Sequence, residues 1–206
     1  MRLRDLIDGL ASSDRELRIL DIGGRPEYWQ RVGLDFLRRR RAKITLLNFT
    51  ESELGAQDRH EGLFEYEVGD GCHLDQYADG SFDLAHSNSV IEHVGAWPNM
   101  KAFAAETRRV GRAYYVQTPY YWFPIDPHFY KVPFFHWMGT PLKAWFLTHM
   151  HVAFSGKLKT IDQAYSVMED SRLLDRHQFQ FLFPDCEFHF ERLGGLAKSL
   201  IGIRRP

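Results

Sequence analysis

The stretch LRILDIGGRPEYW, residues 17–29, constrains this chain more than any other. Its apolar run Ile19-Leu20-Asp21-Ile22 ends on Gly23-Gly24 and passes into a helical pattern. Such a pattern reads as a buried parallel strand entering a tight turn whose backbone can approach a ligand closely. In an open α/β sheet, nucleotide-like cofactors sit at the carboxyl end of such a strand. Asp21 is charged inside an apolar strand, where an unpaired carboxylate is costly. Its expected task is to accept hydrogen bonds from backbone N–H groups of the glycine turn.

The β-α rhythm continues along the chain. Residues 27–40 have helical spacing, with Trp29, Val32, Phe36 and Leu37 on the apolar face. A second strand covers 44–48, and Thr50 with Glu53 forms a capping-box pattern for another helix. The third strand, 63–68, is closed by Gly69-Asp70-Gly71, and strands at 82–87 and 113–117 follow. Between those two, a helix over 98–110 turns Met100, Phe103, Ala104 and Val110 to the core. This alternation predicts a Rossmann-like, doubly wound α/β sheet, mostly parallel and seven-stranded. Asp175 caps a short helix near the end. Residues 187–193 and 196–204, joined through Gly194-Gly195, then complete the sheet as an antiparallel hairpin. With no repeats or linkers, residues 1–206 read as one domain.

One segment breaks the rhythm. Between Pro119 and Met150 aromatic rings crowd among Pro119, Pro124, Pro127, Pro133 and Pro141, which discourage regular helix before Pro141. Residues 119–170 are expected to form an insertion that roofs the cofactor crevice as a substrate lid, since loops of this length are usually functional. The bland reading is a satellite hydrophobic cluster beneath a long loop.

A net charge of −1 supplies no basic field for nucleic acid. The run Arg38 to Arg41 falls where a helix ends, so its charges complement the helix dipole and face water. The two cysteines, Cys72 and Cys186, suggest neither a disulfide framework nor zinc. No signal-peptide core or run of ~18 apolar residues is present, so a cytoplasmic protein without stable membrane insertion is expected.

Four ordered segments carry a resemblance: LDIGG at 20–24, LLNF at 46–49, GDGCHL at 69–74 and SFDLAHSNSVIEHV at 81–94. Together they resemble the class I S-adenosylmethionine-dependent methyltransferases, within them the small-molecule group related to the ubiquinone-biosynthesis enzymes. The resemblance implies S-adenosylmethionine as cofactor. It places Gly23 and Gly24 beside the methionine moiety, with Asp21 bracing the turn. Asn48 stands where the family carries an acid for the ribose hydroxyls, and Phe49 packs on the adenine. Asp70 receives the adenine amino group, Gly71 and Cys72 line the same edge, and Ser87, Asn88 and Ser89 face the sulfonium. Two departures stand out. The glycine loop reads GGRPE in place of G-x-G-x-G. Ser89-Val90-Ile91-Glu92-His93 lacks the first carboxylate of the Glu-x-x-Glu-His that binds a divalent ion in some relatives, so no metal is expected.

The expected reaction is methyl transfer to a small-molecule or saccharide-type acceptor, at oxygen, by a monomer or homodimer. Positioning supplies much of the rate in such a displacement, and a nearby base removes the hydroxyl proton. His128, in PIDPHFY, is the first candidate base, with His93 and Glu92 after the fourth strand as further candidates. Each has a structural counterpart reading: a loop hydrogen bond for His128, a helix start for Glu92 and His93. His149 and His151 lack a third ligand of defined spacing, and Cys72 is read as packing. The alternative function is a non-methylating, cofactor-binding scaffold or partner subunit, favoured by the altered loop and Asn48. A nicotinamide oxidoreductase is disfavoured by the missing G-x-G-x-x-G.

Overall fold

The computed structural model describes residues 2–54, 62–152 and 156–206. Helix α1 (Arg2–Leu10) opens the chain and buries Leu3, Leu6 and Ile7, one stripe at helical spacing. No element was expected there. Strand β1 (Leu17–Ile22) leads through the glycine turn into α2 (Pro26–Val32) and α3 (Leu34–Arg39). The single helix expected over 27–40 is split because Gly33 has φ 111°, a backbone state that L side chains rarely adopt.

Strand β2 (Ala42–Asn48) is followed by a short 3-10 turn, Glu51–Leu54, in place of the start of an α-helix. Residues 55–61 and the Glu53 side chain of the expected capping box lie outside the described part. Then come β3 (Phe64–Val68), β4 (Phe82–Asn88), α4 (Trp97–Val110) and β5 (Gly111–Pro119). Helix α4 begins with Pro98 in its first turn and buries Met100, Phe103, Ala104 and Val110, the face its spacing dictates.

Before Pro141 the insertion forms only 3-10 turns, Pro127–Phe129 and Phe135–Trp137. Helix α5 (Thr140–His149) follows. Helix α6 (Ile161–Glu169), absent from the sequence expectations, starts at a Thr160–Gln163 capping box. An Asp175–Gln178 box starts α7 (Arg176–Leu182), and β6 (Glu187–Leu193) and β7 (Leu196–Arg204) complete the chain.

The seven strands lie in the order β3-β2-β1-β4-β5-β7-β6. Strands β1 to β5 pair in parallel, and β7 enters antiparallel between β5 and β6. The order reverses between β1 and β4, the switch point that opens a crevice at the strands' carboxyl ends in sheets of this kind. Period-two alternation sends Leu20, Ile22 and Leu47 to one face, beneath α4 and α7. It sends Ile19, Ile44 and Leu46 to the other, beneath α1, α2 and α3. The insertion has its own apolar centre, in which Phe129, Phe135, Leu147, Val152 and Ala164 are buried. Burial of a Leu or Phe side chain contributes about 1.5–3 kcal/mol, which fixes the insertion's shape from within.

Candidate active site

A cavity of about 520 Å³ lies at the carboxyl ends of β1, β2 and β3, within the ~300–1,000 Å³ common for small-ligand sites. Gly23, Asn48, Phe49, Asp70, Gly71 and Cys72 line it, joined by Val90, His93, Asn99, Phe103 and Asp170. A second pocket of about 320 Å³ shares Gly23 and is lined by Asp21, Gly24, Arg25, Tyr28, His86, Asn88 and Ser89. The residues expected from sequence to bind the cofactor, Ser87 apart, therefore divide between two spaces that meet at Gly23. Ser87 borders neither. It is fully buried, and its Oγ has no hydrogen-bond partner among the described residues. Alternation along β4 turns His86 and Asn88 to the pocket and Ser87 to the opposite face, which corrects its expected place at the reacting sulfur.

The glycine turn is held differently from expectation. Gly23 has φ 71°, donates its N–H to Leu47 O at 2.7 Å, and leaves no room for a Cβ, which would stand 2.5 Å from Val90 Cγ2. The Asp21 carboxylate does not reach for turn N–H groups. Its Oδ2 accepts from Trp29 Nε1 at 2.6 Å, and its Oδ1 lies 2.6 Å from His86 Nδ1, with Asp21 and His86 each 1% exposed. Gly24 rests directly on this carboxylate, and a Cβ at Gly24 would overlap it. Asp21 supports the turn from below, by contact.

Asn48 provides the polar brace, donating from Nδ2 to Gly24 O at 2.9 Å. A carboxylate here would face a carbonyl oxygen without a proton to offer, so the amide fits this turn. Asp70 Oδ1 accepts from Cys72 N at 2.8 Å and fixes the bend after β3. Burial, reinforced by the charge and hydrogen bond of Asp70, pushes the Cys72 thiol up to about 12, so it stays protonated at neutral pH and is no nucleophile. Phe49, 67% exposed, presents its ring at the cavity rim.

The three candidate catalytic residues come together at the cavity edge. Glu92 and His93 occupy a 3-10 turn, Ile91–His93, in place of a helix start, and His128 reaches them from the insertion. His128 Nε2 stands 3.0 Å from His93 Nε2. Asp126, buried, accepts at Oδ1 from His128 N at 2.9 Å and from His128 Nδ1 at 2.7 Å. His93 Nδ1 lies 2.9 Å from Asp170 O, and because a carbonyl only accepts, this nitrogen carries the proton. The segment after α6 also ties down the turn through Arg172 N to Glu92 O at 2.8 Å.

Glu92 is fully buried. Thr118 Oγ1 donates to its Oε2 at 2.9 Å, while Oε1 has no partner among the described residues. Burial raises its pKa, against hydrogen bonds and the nearby imidazoles. For His128, burial works against the charged form, but the hydrogen bond and charge of Asp126, with Glu92 and Asp170, outweigh it and raise the pKa. His149, by contrast, stacks on Trp145 and bonds its carbonyl oxygen on the surface.

Sequence reasoning passed over Asp126, Asp170 and His86. Asp126 carried a signal: an Asp-Pro-His string in which the acid caps the following turn and reaches the histidine two residues on.

Residues 30–113 match the family described as methyltransferase domain. The matched span, less than half of the chain, holds Asn48, Asp70, Glu92 and His93. Among solved structures, the CMeT domain of the citrinin polyketide synthase is similar at 12% identity and TM-score 0.62, over 99% of this chain and 51% of that one. An O-methyltransferase family protein from Burkholderia thailandensis aligns at 15% identity and TM-score 0.53, over 98% of this chain and 56% of its own. A Rhodobacter sphaeroides protein provisionally described as a Zn-dependent alcohol dehydrogenase aligns at 11% identity and TM-score 0.58, over 100% and 90%. At these identities the likeness is one of fold. This chain spans about half the length of the first two structures. No curated protein matches it.

The residues present fit the cofactor. The glycine turn admits close approach, Phe49 offers an aromatic face, and Asp70 brings a carboxylate to the cavity wall. No helix among the described residues is long and apolar enough to cross a membrane.

Proposed function

We propose that this chain is an S-adenosylmethionine-dependent methyltransferase acting on an oxygen of a small-molecule or saccharide-type acceptor, bound where the insertion meets the cofactor crevice. One observation carries the reading: His128, on the insertion, stands within 3.0 Å of His93, which lines the cofactor cavity. In this reading Phe49 and Asp70 receive the adenine end, with Gly71 and Cys72 along the same edge. Asn48 borders the ribose, and Gly23 and Gly24 face the methionine moiety with Asn88 and Ser89 beyond. Asp21 supports the turn.

The cofactor supplies a methyl group on a positively charged sulfur. A hydroxyl that attacks it becomes far more nucleophilic as its proton leaves, so a proton acceptor beside the cavity is the feature the reaction needs. Asp126 fixes the His128 ring with its Nδ1–H towards the carboxylate and its Nε2 lone pair towards His93 at the cavity edge. The Asp170 carbonyl does the same for His93. Glu92 adds negative charge near His128, which favours the imidazolium that forms there. The insertion's rings exclude water and orient the acceptor, and orientation contributes much of the rate. The unpaired Cys72 and Cys186 suit a reducing, cytoplasmic setting.

The test is incubation with methyl-labelled cofactor and a panel of phenols, sugars, amines and carbon acids. The reading expects labelled methyl ethers; transfer confined to nitrogen or carbon would overturn the assignment to oxygen. The second reading, a cofactor-binding scaffold, draws on the Asn48 amide engaged with the turn. Binding without turnover on every acceptor would favour it.

A further inference from the structure

We infer that Glu92, His93 and His128 form a binding site for a divalent cation of the zinc class at the edge of the cofactor cavity. Their ligand atoms lie within 4.8 Å of one another. Hydrogen bonding dictates the ring tautomers. Asp170 O and Asp126 Oδ1 each take an Nδ1–H, so both Nε2 atoms carry lone pairs, and these face one another at 3.0 Å. Two lone pairs repel at that distance unless a cation, proton or metal ion, stands between them.

Glu92 is an independent pointer. Its fully buried Oε1 has no partner among the described residues, although Oε2 is satisfied by Thr118. A buried carboxylate oxygen left in this state is costly, and with a carboxylate oxygen of Glu92 within 4.8 Å of a ring nitrogen of each histidine, one cation can serve all three residues. The outer partners fit as well. Metal-bound imidazoles almost always donate their other N–H to a carboxylate or carbonyl, as His128 does to Asp126 and His93 to Asp170. Two imidazoles and one carboxylate are the donor set of catalytic zinc sites with an open position. Magnesium and calcium prefer oxygen alone.

The expectation of no metal rested on the carboxylate missing from the Glu-His turn. A histidine 35 positions along the chain, on the insertion, supplies the third ligand in its place. His93 borders the cavity, so the site opens towards the cofactor crevice. Its use there, to hold the acceptor's oxygen, rests on the function proposed above; the cation site does not. A cation and a proton compete for the same lone pairs. In the loaded protein the acceptor hydroxyl is therefore acidified by coordination rather than by transfer to His128. Its proton leaves to water, the oxygen lone pair forms the bond to the methyl carbon, and the carbon–sulfur electron pair stays on sulfur.

The test uses chelator-treated protein titrated with Co²⁺, followed by visible absorption, with Zn²⁺ as competitor and by calorimetry. One equivalent is expected, with cobalt bands of low coordination number abolished by Zn²⁺. Glu92→Gln and His128→Gln should each weaken Zn²⁺ binding at least about 100-fold, and Asp126→Asn about 10- to 100-fold. His149→Gln should leave it unchanged. Circular dichroism of each variant separates lost binding from lost fold. Absence of stoichiometric uptake by the unaltered protein overturns the site, as does uptake indifferent to His128→Gln; preference for Mg²⁺ overturns the zinc-class assignment. S-adenosylhomocysteine is titrated alongside. Its binding without Zn²⁺ uptake sinks only the cation site, and Zn²⁺ uptake without it sinks only the cofactor reading.

Discussion

His93 and His128 meet through their Nε2 atoms at 3.0 Å, although one follows β4 and the other belongs to the insertion after β5. The pair fastens the insertion to the rim of the cavity at the ends of β1, β2 and β3. His128→Gln should lower kcat/KM by about 10²- to 10⁴-fold, since its Nε2 either takes the acceptor's proton in the metal-free protein or helps hold the cation that acidifies the hydroxyl. Steady-state rates on any acceptor that turns over check this, and an unchanged kcat/KM would remove His128 from the chemistry.

Asp21 lies in register with His86 across the β1–β4 pair, and its carboxylate joins His86 to Trp29 in the core. Asp21→Ala strands Trp29 Nε1 and His86 Nδ1 without an acceptor. Breaking a buried charged hydrogen-bond set of this kind costs about 3–5 kcal/mol. Urea unfolding should show that loss as an earlier midpoint with an unchanged slope.

At Gly23 two penalties coincide: the φ of 71° and the approach to Val90. Gly23→Ala should destabilise the protein, and adding Val90→Ala should recover part of the loss. The remainder, about 1–2 kcal/mol for an L residue in the left-handed region, should persist in the double variant. Thermal melts of the single and double variants separate the two contributions.

Asp83, on β4, accepts from Arg15 Nη1 at 2.7 Å and Arg18 N at 3.0 Å. Burial alone would raise its pKa, but these bonds and the arginine charge hold it below the usual aspartate value. A depressed folded-state pKa gives stability that is present above the unfolded value and lost as pH falls through the folded one. Asp83→Asn should therefore flatten the acid limb of the stability–pH curve while lowering stability at neutral pH. Urea midpoints from neutral pH down to acid unfolding measure both effects.

Much of the fold was legible because apolar spacing reports it directly. Met100, Phe103, Ala104 and Val110 fall on one helical face, and the Gly194-Gly195 hairpin follows from its turn residues. Asp21's partners were not legible. His86 is 65 residues away, and only strand register brings the two together. Ser87 failed for a related reason: with a period of two, the neighbouring residue faces the opposite side. The His93–His128 meeting depends on how a proline-broken loop folds back, which local pattern does not encode. Asn48 reads as a weakened cofactor ligand in sequence and as a turn brace in three dimensions.

The most direct measurement is calorimetric titration of S-adenosylhomocysteine into the unaltered protein, Asp70→Ala and Gly23→Val. If the crevice at the ends of β1, β2 and β3 holds the cofactor, the unaltered chain binds one equivalent. Both variants then weaken binding by at least about 100-fold, or ~2.7 kcal/mol. Equal affinity in all three proteins would contradict the account, because the ligand would then occupy some other part of the molecule.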